Sequence, residues 1–499
     1  MSRTTTPSSS NADTAAHPWL TTRYRAADGR ASDNGVRLSQ VLAGLSYALD
    51  LTEGQRPGHS IRSCLIGMRI AEVINLPREE RSALFYALLM KDLGCSSNAA
   101  RFAALFGSND HDLKTNLKHI DWSQALESFR YVVCNAAPGA ALLQRVWRAL
   151  AVLSHGPEGA RSVVRTRCER GADIARHLGL SEATASAIRA LDEHWDGHGQ
   201  PYGLKGDAIP LHARILGLAQ TVEVFFTEYG VLTAYDMAVA RRGTWFEPTL
   251  VDALLSICDD ASFWRELGSG DAVRLQLVEP ADRVMIADEG ELDQIAEAFA
   301  RVIDAKSPWT YRHSHGVAEM AVAIGRLLGL SAVELRALQR AALLHDLGKL
   351  SVSNLILDKP DKLTDAEFAV MRRHPEHTFA ILNRLSCFRG LAEDASAHHE
   401  RLDGRGYHQG RRAHELNRRA RILSVADICD ALRGSRPYRP GLPTERVLEI
   451  MDRQVGTALD VECVAAMRTV LTDCSTVDPI DIPAARIVPT LVEDYQQAP

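Results

Sequence analysis

The sequence predicts an all-α protein built from two helical domains in tandem. Apolar residues recur at helical spacing, as in Val317, Met320, Ala321, Ile324 and Leu328. Sustained alternation of apolar and polar residues, the pattern of a half-buried strand, is scarce. Stretches in the two halves of the chain also match each other at nearly constant offsets. We therefore expect one helical domain to occur twice.

Local signals mark individual helix ends. Thr364 and Glu367 form a T-x-x-E capping box, which predicts a helix that carries Phe368 and Met371. Pro375 is expected to end this helix, because proline lacks the backbone N–H that a helix interior requires.

The internal match defines the expected domain boundaries. Residues 89–94 align with 343–348 at an offset of 254 (343 minus 89), and 213–220 align with 420–427 at 207 (420 minus 213). The difference, 254 minus 207, places 47 additional residues in the first copy, between residues 92 and 191. The predicted organisation is a disordered polar tail at 1–35, a first domain at 36–266, a linker at 267–290 and a second domain at 291–499.

Composition limits the class of protein. The 499 residues are 46% hydrophobic and 24% charged, with a net charge of -6, which is typical of a soluble globular protein. No apolar run approaches the roughly 18 residues of a membrane helix, and no apolar segment follows the N-terminus as in a secretory signal. The nine cysteines are scattered without a CxxC motif. We expect a cytoplasmic protein with reduced thiols, no membrane association and no binding to nucleic-acid polymers.

The second copy contains a set of potential metal ligands on separate predicted helices or helix ends. The set comprises His313, His345, Asp346, His374, His398, His399 and Asp427. Imidazoles and carboxylates suit iron, manganese or zinc, and seven ligands exceed the needs of one ion. Each residue alone is as readily a core or surface residue, and the nearby His315, His377, His408 and His414 are left as surface or unassigned. Together the seven predict two divalent ions, an arrangement that suits phosphoester hydrolysis.

Several motifs of the second copy occur in a recognisable order. They are YRHS at 311–314, HDLGKL at 345–350, RHP at 373–375, HHERLDGRGY at 398–407, AD at 426–427 and RPYR at 436–439. This order resembles the HD-GYP family of bacterial cyclic-di-GMP phosphodiesterases, a branch of the HD phosphohydrolases. The resemblance implies that the seven residues are ligands, that Asp346 is a catalytic bridge between two metals, and that Lys349 holds a substrate phosphate. It also implies substrate contacts from Arg436 and Arg439, whose alternative role is that of solvated loop charges.

Three positions depart from the family pattern. His408 follows Gly406-Tyr407 where the family has proline, so the backbone of this loop gains freedom. Residues 432–435 lack the run of small hydroxyl residues expected before RPYR, and Arg433 is expected to reshape the pocket. Some members have a glutamate one turn before the first histidine that allows a third metal; here that residue is Trp309, so two metals are expected.

The first copy has lost most of these ligands. The offsets place His59, Lys91, Asp92, Arg167, Leu191, Asp192 and Gln220 at the seven positions. Because protonated Lys91 and Arg167 cannot bind a metal, we expect this copy to be catalytically inactive. Its cations either bind an anionic nucleotide or phosphate effector, or pair with Asp92 and Asp192 and hold an old cavity together. His194, His198 and Glu193 are expected to be structural.

The leading functional hypothesis is a metal-dependent phosphodiesterase that opens cyclic-di-GMP to linear pGpG, with further cleavage to GMP. One alternative keeps the metals but acts on another cyclic dinucleotide or a nucleotide phosphate. Another is a nucleotide-binding receptor with a weak or idle enzyme domain. Iron or manganese is the expected metal, with zinc open. A cyclic dinucleotide is the expected ligand, and a homodimer or a signalling partner is a further expectation.

Overall fold

A computed structural model describes residues 36–122, 124–268, 275–280, 285–310, 312–435 and 440–472. The all-α prediction is confirmed, since the described strands are two residue pairs, β1 (Val36–Arg37) and β2 (Ile286–Ala287), that pair antiparallel. The predicted tail at 1–35 lies outside the described residues, as do 269–274 and 281–284 of the predicted linker. We name residues 36–268 the first unit and residues 289–472 the second unit.

The first unit and the segment after it contain fourteen described helices. They are α1 (Leu38–Thr52), α2 (His59–Val73), α3 (Arg78–Met90), α4 (Ala99–Phe106), α5 (Asp110–His119), α6 (Ala125–Asn135), α7 (Leu142–Ser154), α8 (Gly156–His177), α9 (Glu182–Arg189), α10 (Leu211–Tyr229), α11 (Val231–Ala240), α12 (Pro248–Leu255), α13 (Ala261–Leu267) and α14 (Leu275–Val278).

The second unit contains ten described helices. They are α15 (Glu289–Asp304), α16 (His313–Leu327), α17 (Ala332–Leu344), α18 (Asn354–Leu357), α19 (Asp365–Met371), α20 (His374–Leu382), α21 (Ala392–Ser396), α22 (Arg418–Arg433), α23 (Thr444–Asp452) and α24 (Val461–Thr472). Short 3₁₀ turns join them, including Leu347–Ser351. Helix α15 starts two residues before the boundary expected at 291.

Capping explains where several of these helices begin. The predicted box is present at α19, where the Thr364 side chain accepts the Glu367 N–H and Glu367 accepts the Thr364 N–H. The same reciprocal pattern opens α15 at Asp288 and α17 at Ser331. Helix α19 already ends at Met371, and Pro375 lies in the first turn of α20, where its missing N–H has no cost.

The two units share details that the sequence comparison did not use. Ser60 donates its N–H and Oγ–H to Asp50, and Ser314 donates both to Asp304, again at an offset of 254 (304 minus 50). A Cβ on Gly94 would lie 1.9 Å from the Arg167 carbonyl oxygen, and a Cβ on Gly348 1.9 Å from that of His374. We propose that the units arose by duplication of one helical domain.

These glycine contacts also narrow the position of the extra residues. Arg167 follows Gly94 by 73 residues (167 minus 94), and His374 follows Gly348 by 26 (374 minus 348). The two separations differ by 47 residues. The additional residues of the first unit therefore lie between 94 and 167. This region contains α4 to α7, whose own small core includes Phe106, Leu113 and Tyr131.

One continuous hydrophobic core joins the units. It includes Phe299 and Phe388, both fully buried, and each such side chain contributes about 2 kcal/mol through removal from water. Helix α1 packs on the 3₁₀ turn Leu347–Ser351, and a Cβ on Gly44 would lie 2.0 Å from Leu385 Cδ2. The glycine therefore allows α1 to approach the second unit closely.

Polar side chains also join the two units, through Asp110 in the first unit. Asp110, at the start of α5, accepts hydrogen bonds from Ser353 Oγ at 2.9 Å and from the Asn354 N–H at 2.8 Å. The buried Lys306 ammonium lies 3.5 Å from Asp110 Oδ2 and 3.2 Å from His111 Nε2. Among the described residues, no helix is long and apolar enough to cross a lipid bilayer.

Candidate metal centre

The seven predicted ligands converge although five separate segments supply them. His313 and His374 are the first residues of α16 and α20, and His345 follows the last residue of α17. His398 and His399 come just after α21, and Asp427 lies within α22. All seven are buried except His399, whose side chain is 27% exposed. The fold therefore brings the whole predicted set to one place.

The first group of ligand atoms consists of His313, His345 and Asp427, which offer atoms within 4.8 Å of one another. His313 Nε2 lies 3.3 Å from Asp427 Oδ1, and His345 Nε2 lies 3.8 Å from the same oxygen. His374, His398 and His399 form the second group by the same distance. Each group offers three atoms, which is enough to hold one ion and leave positions open for substrate.

Asp346 lies between the two groups. Its Oδ2 atom is 3.6 Å from His313 Nε2 and 3.3 Å from His345 Nε2. Its Oδ1 atom is 3.3 Å from His374 Nε2 and 3.7 Å from His398 Nε2. One carboxylate oxygen thus faces each group, which is the arrangement of a bridging ligand.

Hydrogen bonds to backbone carbonyls orient three of the imidazoles. Nδ1 of His345, His374 and His398 lies 2.7 to 2.8 Å from the carbonyl oxygens of Ala342, Met371 and Ala395, respectively. A proton on each Nδ1 satisfies these carbonyls and leaves each Nε2 as a free lone pair aimed into the site.

This orientation provides a test of whether the residues fit metal ions. His374 Nε2 and His398 Nε2 lie 3.0 Å apart, and two lone pairs at that distance repel unless a cation lies between them. Two nitrogens at right angles on an ion with bonds of about 2.1 Å are separated by about 3.0 Å. His345 Nε2 and Asp346 Oδ1 are also buried without a hydrogen-bond partner. The donor set therefore fits divalent ions.

Electrostatics favour the ligand form of most groups. Burial lowers the pKa of His399 to about 3 and lowers the pKa of His374 and His398 well below the usual value, so these imidazoles are neutral. Burial would raise the pKa of Asp346, but His345 and Lys349 outweigh it and keep the carboxyl ionised. His313 differs, because hydrogen bonds to Asp427 and Asp430 overcome burial and raise its pKa to about 9.

Asp430 belongs to the site although it lies outside the set of seven predicted ligands. Its Oδ2 atom accepts a hydrogen bond from His313 Nδ1 at 2.6 Å, which leaves Nε2 to face Asp346 and Asp427. Gly316 makes room for this contact, because a Cβ there would lie 2.2 Å from Asp430 Oδ1. The available signal was the i,i+3 spacing from Asp427, which places both carboxylates on one face of α22.

The predicted substrate contacts are only partly described. Lys349 lies in the 3₁₀ turn Leu347–Ser351 rather than one α-helical turn from His345, and its Nζ atom is 2.5 Å from Asp346 Oδ2. The side chain is 17% exposed, so the ammonium is accessible beside the site. Arg436 and Arg439 lie outside the described residues. His377, which was predicted to be a surface or unassigned histidine, is buried.

The loop that contains Tyr407 and His408, where the family has proline after Gly-Tyr, packs against the second ligand group. The Tyr407 ring lies 4.7 Å from the His399 ring, and the Arg372 guanidinium lies 5.0 Å from the centroid of the tyrosine ring. His408 has a φ of +46°, a left-handed conformation that proline cannot adopt. The loop backbone therefore differs from one in which proline occupies this position.

The equivalent positions of the first unit form ion pairs. Lys91 Nζ donates to Asp92, Arg167 pairs with Asp192, and His59 pairs through Nδ1 with Glu223. Leu191 is a core residue. Glu53, Asp92 and Cys95 lie close enough to share an ion, but the ammonium groups of Lys91, Lys114 and Lys118 act on these carboxylates instead.

His194, His198 and Glu193 have separate environments. His194 is stacked at 4.0 Å on Trp245, and burial lowers its pKa to about 4. His198 is exposed beside Asp196, and Glu193 accepts the backbone N–H groups of Tyr202 and Leu204. No metal group among the described residues includes any of the three.

Comparison with known proteins agrees with this geometry. The HD domain model matches residues 157–250 and 297–463, which reach into both units. The chain belongs to the HD domain family. Within it, the order of motifs and the relatives below identify the HD-GYP branch. HD domain proteins are metal-dependent, and the two ligand groups of this chain could each hold an ion.

Relatives of this HD-GYP protein include enzymes of cyclic dinucleotide metabolism. The chain is 42% identical over 441 residues to the 3′3′-cGAMP-specific phosphodiesterase 3 of Vibrio cholerae, covering 88% of this chain and 96% of that protein. A cyclic di-GMP phosphodiesterase response regulator of Xanthomonas campestris is 37% identical over 173 residues, 34% of this chain and 45% of that protein. The crystal structure of a V. cholerae cyclic GMP-AMP-specific phosphodiesterase aligns with a TM-score of 0.60 at 39% identity, covering 88% and 98% of the two chains.

Proposed function

We propose that this chain is a metal-dependent phosphodiesterase that opens 3′3′-cGAMP to a linear dinucleotide. Water adds across one phosphodiester bond, which leaves a 5′-phosphate on one nucleoside and a 3′-hydroxyl on the other. The observation that carries the proposal is the placement of two ligand groups on either side of Asp346. The choice of substrate rests on the 42% identity to a 3′3′-cGAMP-specific enzyme along nearly the whole chain.

Two bound divalent ions would supply an activated water and positive charge against the phosphoryl oxygens. The protein's own part is to hold the ligands before the substrate arrives. Backbone carbonyls fix His345, His374 and His398, and Asp430 fixes His313, so little reorganisation accompanies binding. The burial of these groups excludes bulk water and strengthens the charge interactions around a bound phosphate.

Lys349 is the residue that we propose to contact the substrate phosphate. Its ammonium lies at the partly exposed edge of the site, and its one described partner is Asp346. A compact cation there adds attraction for a phosphodiester oxygen. Arg436 and Arg439 remain proposed contacts to the second phosphate or to a base.

Cyclic-di-GMP is the second candidate substrate. Other relatives, including those from Xanthomonas campestris and Pseudomonas aeruginosa, are cyclic di-GMP phosphodiesterases. The loop around Tyr407 and His408 is the described feature through which the preference would be set, because it packs on His399 with a backbone that proline would not permit. This candidate shares the metals and the bond that breaks.

The experiment compares the two substrates on the purified chain supplied with manganese or reduced iron. We expect kcat/KM for 3′3′-cGAMP to exceed that for cyclic-di-GMP by at least about tenfold, and His345→Ala to abolish turnover of both. His414→Ala is the matched control, because His414 is an exposed histidine of the same unit outside the ligand groups. A preference for cyclic-di-GMP would overturn the choice of substrate, and wild-type turnover by His345→Ala would overturn the metal-dependent mechanism.

A further inference from the structure

The first unit contains a cavity of about 540 Å³ beside its lost ligand positions. Its wall includes the aromatic side chains of Phe102, Phe106, Trp122, Tyr131 and Trp245. Helices α4 to α7, which hold the additional residues of this unit, provide much of the lining. A cavity of this volume lies within the range of roughly 300 to 1,000 Å³ that small-molecule sites occupy.

The charges around the cavity do not cancel. Four cationic side chains line it, and two carboxylates oppose them; the cations are Arg101, Lys114, Lys118 and Arg167, and the carboxylates are Glu53 and Asp192. With histidine neutral, four minus two leaves two positive charges. Arg167 pairs with Asp192, so this cation behaves as the ion-pair hypothesis anticipated. That pairing nevertheless leaves the cavity open and its charge positive.

Much of the positive charge lies around the buried carboxylate of Glu53. Lys118 Nζ lies 2.9 Å and Lys114 Nζ 3.4 Å from Glu53, whose pKa is lowered, against its burial, by Lys118, Lys114 and Arg167 together. Both lysines thus pair with one buried carboxylate, and Arg167, which pairs with Asp192, adds positive charge beside them. An anionic group entering the cavity would find the unneutralised charge at this place, which suits one phosphate better than two separated ones.

Uncharged polar atoms in the cavity wall also lack partners. Asn98 Oδ1 and Gln200 Oε1 are buried acceptors with no hydrogen-bond partner in the described protein, and the Asn98 residue is 6% exposed. Buried acceptors of this kind are costly unless a donor meets them. The ring N–H and amino groups of a nucleobase are such donors, and the aromatic side chains in the same wall provide apolar contact for a base.

We propose that this cavity binds a purine nucleoside monophosphate, with the phosphate near Lys114, Lys118 and Arg167 and the base among the aromatic side chains. Arg167 and Gln220 stand at the positions of His374 and Asp427 in the second unit and both line the cavity. The site is therefore the former metal centre converted to anion binding. The inference does not depend on hydrolysis by the second unit.

Titration calorimetry on the full chain with GMP and with AMP tests the proposal. We expect one of them to bind at one site per chain, and to bind more tightly than inorganic phosphate or the unphosphorylated nucleoside. Gln220→Phe, which fills the cavity, should abolish this binding. Arg101→Gln should weaken it roughly tenfold, because it removes a cation that has no described ion pair.

Two controls locate the site. Arg165→Gln makes the same charge change on the exposed face of α8, outside the cavity, and should leave the affinity unchanged. His345→Ala, in the metal centre, should also leave it unchanged. Thermal unfolding and cyclic dinucleotide turnover check that each first-unit variant is folded, and Arg101→Gln decides if Gln220→Phe does not fold.

Three results would overturn the proposal. The first is no binding of GMP or AMP at about 1 mM, an affinity too weak for a built site. The second is binding that survives Gln220→Phe but disappears in His345→Ala, which would place the nucleotide in the metal centre. The third is binding of inorganic phosphate as tight as that of GMP and AMP, which would identify a general anion site. None of these results bears on whether the second unit hydrolyses 3′3′-cGAMP.

Discussion

The two units share one frame but contain opposite chemistry at its centre. His59 and His313 begin α2 and α16, and a carboxylate holds each through Nδ1, Glu223 in one unit and Asp430 in the other. Beyond that point, the first unit has ion pairs where the second has free ligand atoms. The comparison teaches that the helical frame does not need metal ions, because salt bridges and apolar packing occupy the same centre in the first unit.

The largest expected effect separates the roles of the two equivalent aspartates. Asp346→Asn removes the carboxylate between the ligand groups and should lower turnover of 3′3′-cGAMP by about 10³-fold. Asp92→Asn leaves the buried Lys91 ammonium without its charge partner and should cost about 3 kcal/mol of stability. Turnover by folded Asp92→Asn should stay within about threefold of wild type.

Steady-state kinetics and thermal unfolding on both variants measure this contrast. Equal losses of activity in the two variants would show that the first unit takes part in catalysis. If both variants lost the same stability and neither lost activity, the assignment of Asp346 to function and Asp92 to structure would be wrong.

A smaller effect is expected at the carboxylates that hold the first histidines. Asp430→Ala frees His313 Nδ1 and should reduce metal affinity or turnover by about 10- to 100-fold. Asp430→Asn, which keeps an acceptor, should recover part of the loss, as a positioning role requires. Glu223→Gln is the counterpart in the first unit and should leave turnover unchanged. Metal titration of the three variants measures the effect, and a loss of metal affinity in Glu223→Gln as large as that in Asp430→Ala would contradict it.

The loop that contains His408 and its counterpart in the first unit provide a third comparison. The offset of 207 places Pro201 at the position of His408 (408 minus 207), so the first unit has the proline that the second lacks. His408→Pro should cost about 1 to 3 kcal/mol, because proline cannot reach the φ of +46°. His408→Gly relieves the left-handed strain and should leave stability unchanged or slightly higher. Denaturant unfolding measures both, and a neutral His408→Pro would contradict the loop conformation.

The smallest expected effect lies at the junction between the units. Burial and the nearby Lys306 lower the pKa of His111 to about 3, whereas an unfolded histidine titrates near 6.5. Below pH 6.5 the unfolded chain binds a proton that the folded chain rejects, so stability falls as pH falls, down to about 3. His111→Gln should remove about 2 kcal/mol of this loss between pH 6.5 and 5. Parallel stability curves for the two proteins would contradict this assignment.

Much of the frame was predictable because its signals are local or repeated. Helical spacing and the Thr364 capping box predicted the all-α fold class and a helix start, and the equivalence of positions in the two units stays a prediction from the offsets. The seven residues were proposed as one site from their types and order, the family resemblance implied their roles, and the fold brings them together. Asp430 was missed, because a carboxylate one helical turn beyond a proposed ligand looks like an ordinary solvated residue.

Contacts between distant parts of the chain could not be predicted from the sequence. The boundary at 291 and the plain linker at 267–290 did not anticipate the pairing of β2 with β1 or the start of α15 at Glu289. Nothing local to Asp110 indicates that it caps the segment at Ser353 and Asn354. Likewise, Lys91 and Arg167 predicted positive charge beside an old cavity in the first copy, but not the aromatic side chains that α4 to α7 add to its wall.

The most direct test of the account is the metal content of the full chain, measured by elemental analysis after reconstitution with manganese or reduced iron. We predict two ions per chain in the wild type and in Asp92→Asn, and a loss of both in Asp346→Asn, because one Asp346 carboxylate oxygen faces each ligand group. Retention of two ions by Asp346→Asn, or loss of ions in folded Asp92→Asn, would contradict the assignment of the metal centre to the second unit.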